Sequence, residues 1–70
     1  MKLIGERDGD VVVFGEGFNF DSAVYFISEN EFLHDYHDDQ FDPWMEGYDL
    51  ILIDGDDRWV YDGDGGWLEK

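Results

Sequence analysis

The chain contains no cysteine. Disulfides and thiolate metal sites are therefore excluded as supports for a small core, and the absence fits a reducing cytoplasm. Basic residues are scarce: Lys2, Arg7, Arg58 and Lys70 are the whole supply. From Asp8 to Asp57, fifty consecutive residues hold fifteen carboxylates and no Lys or Arg, so the net charge of −15 belongs to the middle of the chain. No apolar run approaches the roughly 20 residues of a membrane span. The first residues, Met1–Glu6, lack the apolar stretch of a signal peptide. The expectation is a soluble, cytoplasmic product with no membrane association.

Catalytic equipment is also thin. Ser22 and Ser28 are the only serines, and no phosphate-cradling loop or dinucleotide fingerprint is present. Carboxylate pairs are so common here that they single out no acid–base site. Seventy residues leave little room for a deep pocket. The reading is a non-enzyme with no cofactor.

What the chain does have is apolar and aromatic mass. It is 43% hydrophobic and 19% aromatic, which separates it from disordered acidic tails despite its charge. Seventy residues form one domain with a small core. Asp8-Gly9 between two apolar-containing runs predicts a hairpin with flanks Lys2–Arg7 and Asp10–Phe14. Gly15, Gly17 and Asn19 break the second strand. Ala23–Ile27 (AVYFI) reads as a third strand, apolar on both faces.

Ser28-Glu29-Asn30-Glu31 matches a capping box, predicting a helix from Glu29 to Phe41 that Pro43 terminates. Its inner stripe would be Phe32, Leu33, Tyr36 and either Gln40 or Phe41. Tyr48–Asp54 and Arg58–Asp62 then read as strands joined by a turn at Asp54–Asp57, with Trp67-Leu68 as a short closing strand after the Gly63–Gly66 loop. The predicted fold is α+β: an antiparallel-dominated sheet of about five strands (β-β-β-α-β-β) with one helix packed on it, in a single domain spanning residues 1–70. Phe14, Tyr25, Phe26, Phe32 and Tyr36 are the expected aromatic core. Both faces of Val11–Phe14 and of Tyr25–Ile27 are apolar, which fits either a fully covered strand or a homodimer seam.

On the predicted helix, Glu31, Asp35, Asp38 and Asp42 recur at i, i+4, i+7 and i+11, a row about 16 Å long. Asp39 lies beside them and Glu29 near the expected helix start, where the dipole favours it. Asp38, Asp39 and Asp42 fall at the end where a sequence selected for stability would carry Lys or Arg. Duplex DNA carries one charge per roughly 1.7 Å of axis. One helical row is sparser than that, so Asp54, Asp56 and Asp57, or Asp8 and Asp10, would have to supply a second. Trp44, Trp59 and Trp67 are candidate anchors for Lys and Arg of a partner.

Metal binding has weaker footing. Asp54-x-Asp56-Asp57 and Asp62-x-Asp64-Gly65 alternate carboxylates as Ca²⁺ loops do. Counting from Asp54, however, the sixth residue is Trp59 and the twelfth Gly65, so the EF-hand pattern fails. His34, His37 and Asp38 have Zn²⁺-compatible helical spacing, but two histidines on an acidic helix are ordinary solvated side chains. No dedicated metal site is expected.

In size, charge and composition the whole chain resembles the phage-encoded DNA-mimic inhibitor proteins, which are unrelated to one another in sequence. The resemblance implies binding to a basic DNA-binding protein of a bacterial host: a nucleoid protein of the HU type first, or a restriction, CRISPR, uracil-DNA glycosylase or polymerase component. It implies no direct binding to nucleic acid. The partner-binding residues that we expect are Glu29, Glu31, Asp35, Asp38, Asp39, Asp42, Asp54, Asp56 and Asp57. The alternatives are an acidic interaction module unrelated to DNA and a weak divalent-cation binder.

Overall fold

The Asp8-Gly9 turn forms as its residue types dictate. Asp8 (φ 49°) and Gly9 (φ 89°) both occupy the left-handed region that a two-residue hairpin turn requires. A computed structural model of the chain describes residues 1–37 and 45–70, with residues 32–37 described by their backbone alone. The turn joins β1 (Lys2–Arg7) to β2 (Asp10–Gly15), with Arg7 opposite Asp10. After α1 (Phe20–His37) come β3 (Asp49–Asp54), β4 (Asp57–Tyr61) and β5 (Trp67–Glu69). The sheet order is β2-β1-β3-β4-β5, antiparallel throughout. The class is α+β, five antiparallel strands and one helix, as the sequence predicts.

The order of elements along the chain differs from the prediction. Ala23–Ile27 is not a strand but part of the first two turns of α1, and the fifth strand is the short one at Trp67–Glu69. The reason is visible at the helix start. The Ser22 amide donates to Asn19 Oδ1 at 2.7 Å, and the Asn19 amide donates to Ser22 Oγ at 2.8 Å. That is a reciprocal cap at Ncap and N3, with serine in the place usually held by Glu. Ser28, the predicted cap, sits inside the helix and is exposed. The predicted helix end at Phe41 and its terminator Pro43 lie outside the described residues.

The helix lies on one face of the sheet. Alternation and register place Leu3 and Gly5 of β1, Leu50 and Leu52 of β3, Trp59 and Tyr61 of β4, and Trp67 of β5 on that face. Leu3, Ala23 and Leu52, all fully buried, form its centre, with Met1, Phe14, Phe18, Phe26, Trp59 and Trp67 packed around them. The rings interlock: Phe26 meets Phe14 and Phe18 at 5.5 and 5.4 Å, and Phe20 meets Trp59 edge-on at 5.2 Å. The Trp67 indole N–H donates to the Phe20 carbonyl at 3.3 Å, tying the last strand to the first helical turn.

Phe14 and Phe26 thus take their expected core places. Tyr25 does not: it is 67% exposed on the outer side of the helix. The side chains of Phe32, Leu33 and Tyr36 lie outside the described set, as do Gln40 and Phe41. The inner stripe that is described runs through Ala23 and Ile27, both fully buried.

Two further contacts fix the ends of the sheet. Met1 and Phe18 pair through their backbones: the Met1 ammonium donates to the Phe18 carbonyl at 2.7 Å, and the Phe18 amide to the Met1 carbonyl at 3.0 Å. At the other end the Arg7 guanidinium lies 4.6 Å from the Tyr48 ring centroid and donates to the Glu46 carbonyl. Gly47 (φ 79°) lets the chain turn there. A Cβ at this position would come within 3.2 Å of the Arg7 side chain. Among the described residues, no helix is long and apolar enough to cross a membrane.

Candidate functional site: an acidic perimeter

No charged or polar residue is buried among the described residues. Their carboxylates are exposed throughout, with the exception of half-buried Glu6 on β1. The physical cause is ordinary: an unpaired carboxylate in a core this small would cost several kcal/mol. What matters for function is how these groups are distributed.

The expected partner-binding set divides in three. Glu29 and Glu31 stand exposed in the later turns of α1, and the backbone of Asp35 continues the same helix. Asp38, Asp39 and Asp42 lie outside the described residues. Asp54, Asp56 and Asp57 form the β3–β4 hairpin, where Asp54 and Asp57 are direct cross-strand partners. Like charges placed so are mutually destabilising, and the tight turn at Gly55 (φ 61°) holds them together regardless.

The hairpin is at the end of the sheet where Lys2 pairs with Ile53, and Met1, one residue before Lys2, pairs with Phe18 at the start of the helix. It therefore sits by the beginning of α1, whereas Glu31 lies three turns along. The nearer of the two candidate second rows is the opposite one, at the end that carries Asp8 and Asp10.

The helix start also changes the dipole argument. Glu29 and Glu31 are well inside α1, not at its N-terminus. The acid in the first turn is Asp21, and the favourable interaction with the helix N-terminus belongs to that residue.

Glu31 has company that the sequence did not single out. It lines a recess of about 250 Å³ together with Met45 and Tyr48, Leu50 of β3, Tyr61 of β4 and Asp62. Its lining combines three carboxylates, Glu31, Asp49 and Asp62, with the apolar and aromatic side chains of Met45, Tyr48, Leu50 and Tyr61, groups that suit the charged head and the stem of a Lys or Arg side chain.

Asp62 is held in place by its own loop: its Oδ1 accepts from the amides of Asp64 at 2.7 Å and Gly66 at 3.0 Å. Those two amides hold its carboxyl below the usual aspartate range. Gly66 is required for this geometry, because a Cβ would meet the Asp62 carboxylate at 2.5 Å. Asp62 could have been suspected from its Asp-x-Asp-Gly context, which resembles a turn as much as a Ca²⁺ loop. On the outer helix face, a hydrogen bond with the Glu29 carboxylate, aided by its charge, raises the Tyr25 phenol above its ordinary pKa.

Other candidates fall away from an exposed role. Trp59 and Trp67 are half-buried against Phe20 and serve the core, while Trp44 lies outside the described residues. Among the described residues, no three His, Cys, Asp or Glu side chains converge to hold a metal ion. Comparison with protein-family models, curated proteins and solved structures finds no match to this chain.

The cations are segregated from the acidic helix layer. Lys2 of β1 and Arg58 of β4 flank Ile53 in one cross-strand row. The Lys70 amide donates to the Arg58 carbonyl at 2.9 Å, which extends that row onto the β5 side. Alternation puts all three on the sheet face opposite the helix. Arg7 is engaged with Tyr48 and Glu46. Helix α1 itself carries no Lys or Arg.

Proposed function

We propose that this protein is a non-enzymatic inhibitor that binds a basic DNA-binding protein through its acidic helix layer and excludes DNA from it. The observation that supports this reading is the segregation of charge. Surfaces normally intersperse both signs. Here α1 carries acidic residues and no Lys or Arg, and three of the four basic residues stand in one row on the sheet face opposite it. An unmixed anionic surface attracts a cationic partner at long range and speeds encounter. At contact, Glu29 and Glu31 would accept charge-assisted bonds from Lys and Arg, and Asp35, Asp38, Asp39 and Asp42, which follow them in the sequence, add to the negative charge. A nucleoid protein of the HU type is the first target to try, because such proteins hold DNA by backbone charge and shape.

The test is displacement of labelled duplex DNA from an HU-type protein, a restriction enzyme, a CRISPR effector and RNA polymerase. At low salt, displacement should be stoichiometric for one target. It should disappear in a Glu31→Lys, Asp35→Lys, Asp38→Lys variant whose circular dichroism is unchanged. Displacement from none of the four removes the DNA-mimic reading. Tight binding to a basic protein that leaves its DNA affinity intact would favour the acidic interaction module unrelated to DNA, for which the Glu31 recess is equally suited.

A further inference from the structure

The two edges of the sheet are finished differently. The β5 edge is three residues long and runs into Glu69 and Lys70, a short charged border of the kind that discourages further pairing. The β2 edge is Asp10–Gly15, with three consecutive valines and neither Lys nor Pro. Val11 and Val13 stand 55% and 56% exposed there. They point to the sheet face away from α1, as their cross-strand partners Glu6 and Ile4 do. The middle of that face is closed, since Ile4 and Ile51 are buried. The open surface is the margin of the sheet and not its face.

The backbone of this margin is open as well. Asp8-Gly9 is a two-residue turn, so the flanking residues Arg7 and Asp10 form a hydrogen-bonded pair. Bonded and non-bonded pairs alternate along an antiparallel ladder. Gly5 and Val12 are then the next bonded pair, and the amides and carbonyls of Val11 and Val13 are directed outward from β1. Among the described residues, neither valine makes a backbone bond outside the sheet. The outward stretch is short. The register shift between Leu3 and Ile4 makes Phe14 an extra residue on β2, and a bulge there bends the strand and interrupts pairing. The edge thus offers Asp10 to Val13.

Charge decides what can use it. Asp8 and Asp10 stand exposed at the turn end, and Glu6 lies beside Val11 with Asp49 next to it on β3. Arg7, opposite Asp10, is turned toward Tyr48 and Glu46. At the far end Glu16 lines a recess with Lys2, so that end is partly neutralised. A second copy is a poor occupant. Two-fold pairing of β2 with itself about Val12 would bring the Asp8–Asp10 end of each copy toward Glu16 of the other, on chains that each carry −15.

We infer that the β2 edge is a docking site for an extended basic segment of another protein, which joins the sheet as one further strand. The segment runs antiparallel, like every pairing within the sheet. Two of its residues, separated by one other, exchange main-chain bonds with Val11 and Val13 and lay apolar side chains against the two valines. Antiparallel direction puts the part of the segment that follows this pair at the turn end. A Lys or Arg there meets Asp8, Asp10 or Glu6. Main-chain bonds supply affinity, and the valines and carboxylates select the sequence. This surface is separate from the acidic residues of α1. The inference therefore stands apart from the inhibitor role, and its test contains no DNA-binding protein.

The probe is a peptide blocked at both ends, Thr-Val-Thr-Val-Thr-Lys-Lys, titrated to millimolar concentration into the isotope-labelled full chain. The Val11 and Val13 amides should shift, and at saturation their hydrogen exchange should slow about tenfold or more, while the Val12 amide, already in the ladder, keeps its rate. The same peptide N-methylated at both valines keeps its charge but loses the pairing donors, and it should not bind. Moving the two lysines to the front should weaken binding about threefold or more, as should an Asp8→Asn, Asp10→Asn variant, whose turn residues still accept positive φ. Circular dichroism checks that this variant folds. Absence of any response at Val11 and Val13 overturns the inference. Equal binding of the methylated peptide also overturns it, because charge attraction without strand addition would then suffice. So does a concentration-dependent shift of the two amides in the peptide-free chain, which would make a second copy the occupant.

Discussion

Asn19 and Ser22 cap each other across the first turn of α1, each side chain accepting from the other residue's amide at 2.7–2.8 Å. This pair fixes where the helix begins. Asn19→Ala should destabilise the protein by about 1 kcal/mol, within the 0.5–2 kcal/mol that lost caps cost. Ser28→Ala, at the site that the sequence pattern nominates, should leave the urea midpoint nearly unchanged. Equilibrium urea unfolding of the two variants distinguishes the two starting points directly.

The core is likewise checked by a contrasting pair. Leu52 is fully buried between Leu3 and Ala23, and Leu52→Ala should cost about 2–5 kcal/mol. Tyr25 comes from an apolar run that reads as buried, yet it stands 67% exposed. Tyr25→Ala should change stability by no more than about 0.5 kcal/mol. Thermal melts of both variants would show the second nearly superimposable on wild type.

Asp62 gives a signed pH dependence. Its folded-state pKa is lowered by the amides of Asp64 and Gly66. A lowered carboxylate pKa contributes stability that is present above the unfolded value and is lost as pH falls through the folded one. The β4–β5 connection should therefore hold its structure at neutral pH and loosen only in acid below the ordinary aspartate range. A carboxyl NMR titration should find Asp62 protonating below that range. Asp62→Ala should remove the acid-dependent change in the Asp64 and Gly66 amide shifts.

The charge pattern predicts a salt response opposite to that of a protein held by surface ion pairs. Raising NaCl from about 10 mM to about 1 M shortens the screening length from about 30 Å to about 3 Å. With no Lys or Arg in α1 to balance its acids, screening relieves repulsion and the melting temperature should rise. Differential scanning calorimetry at several salt concentrations checks this; a flat or falling response contradicts it.

Much of the fold is legible in the chain because its turns are written in local chemistry. Asp8-Gly9 needs positive φ at both positions and has residues that accept it. The Asp54–Asp57 hairpin and the Gly63–Gly66 loop are marked in the same way, and the strands between them follow from β-prone runs. The helix was half hidden. Ala23–Ile27 has strand-like composition, and a serine at N3 is a weaker signal than the Ser28–Glu31 pattern further on.

Residue types and spacing alone settle that this chain has turns at fixed places, a strongly acidic surface and enough aromatic mass for a core, because each of these rests on single residues or near neighbours. Tertiary structure decides that AVYFI is helical, that Tyr25 faces solvent, that Glu31 and Asp62 line one recess, and that Lys2, Arg58 and Lys70 line up across three strands. Those outcomes depend on register between segments far apart in the chain and on which face α1 covers, and neither is encoded in any local stretch.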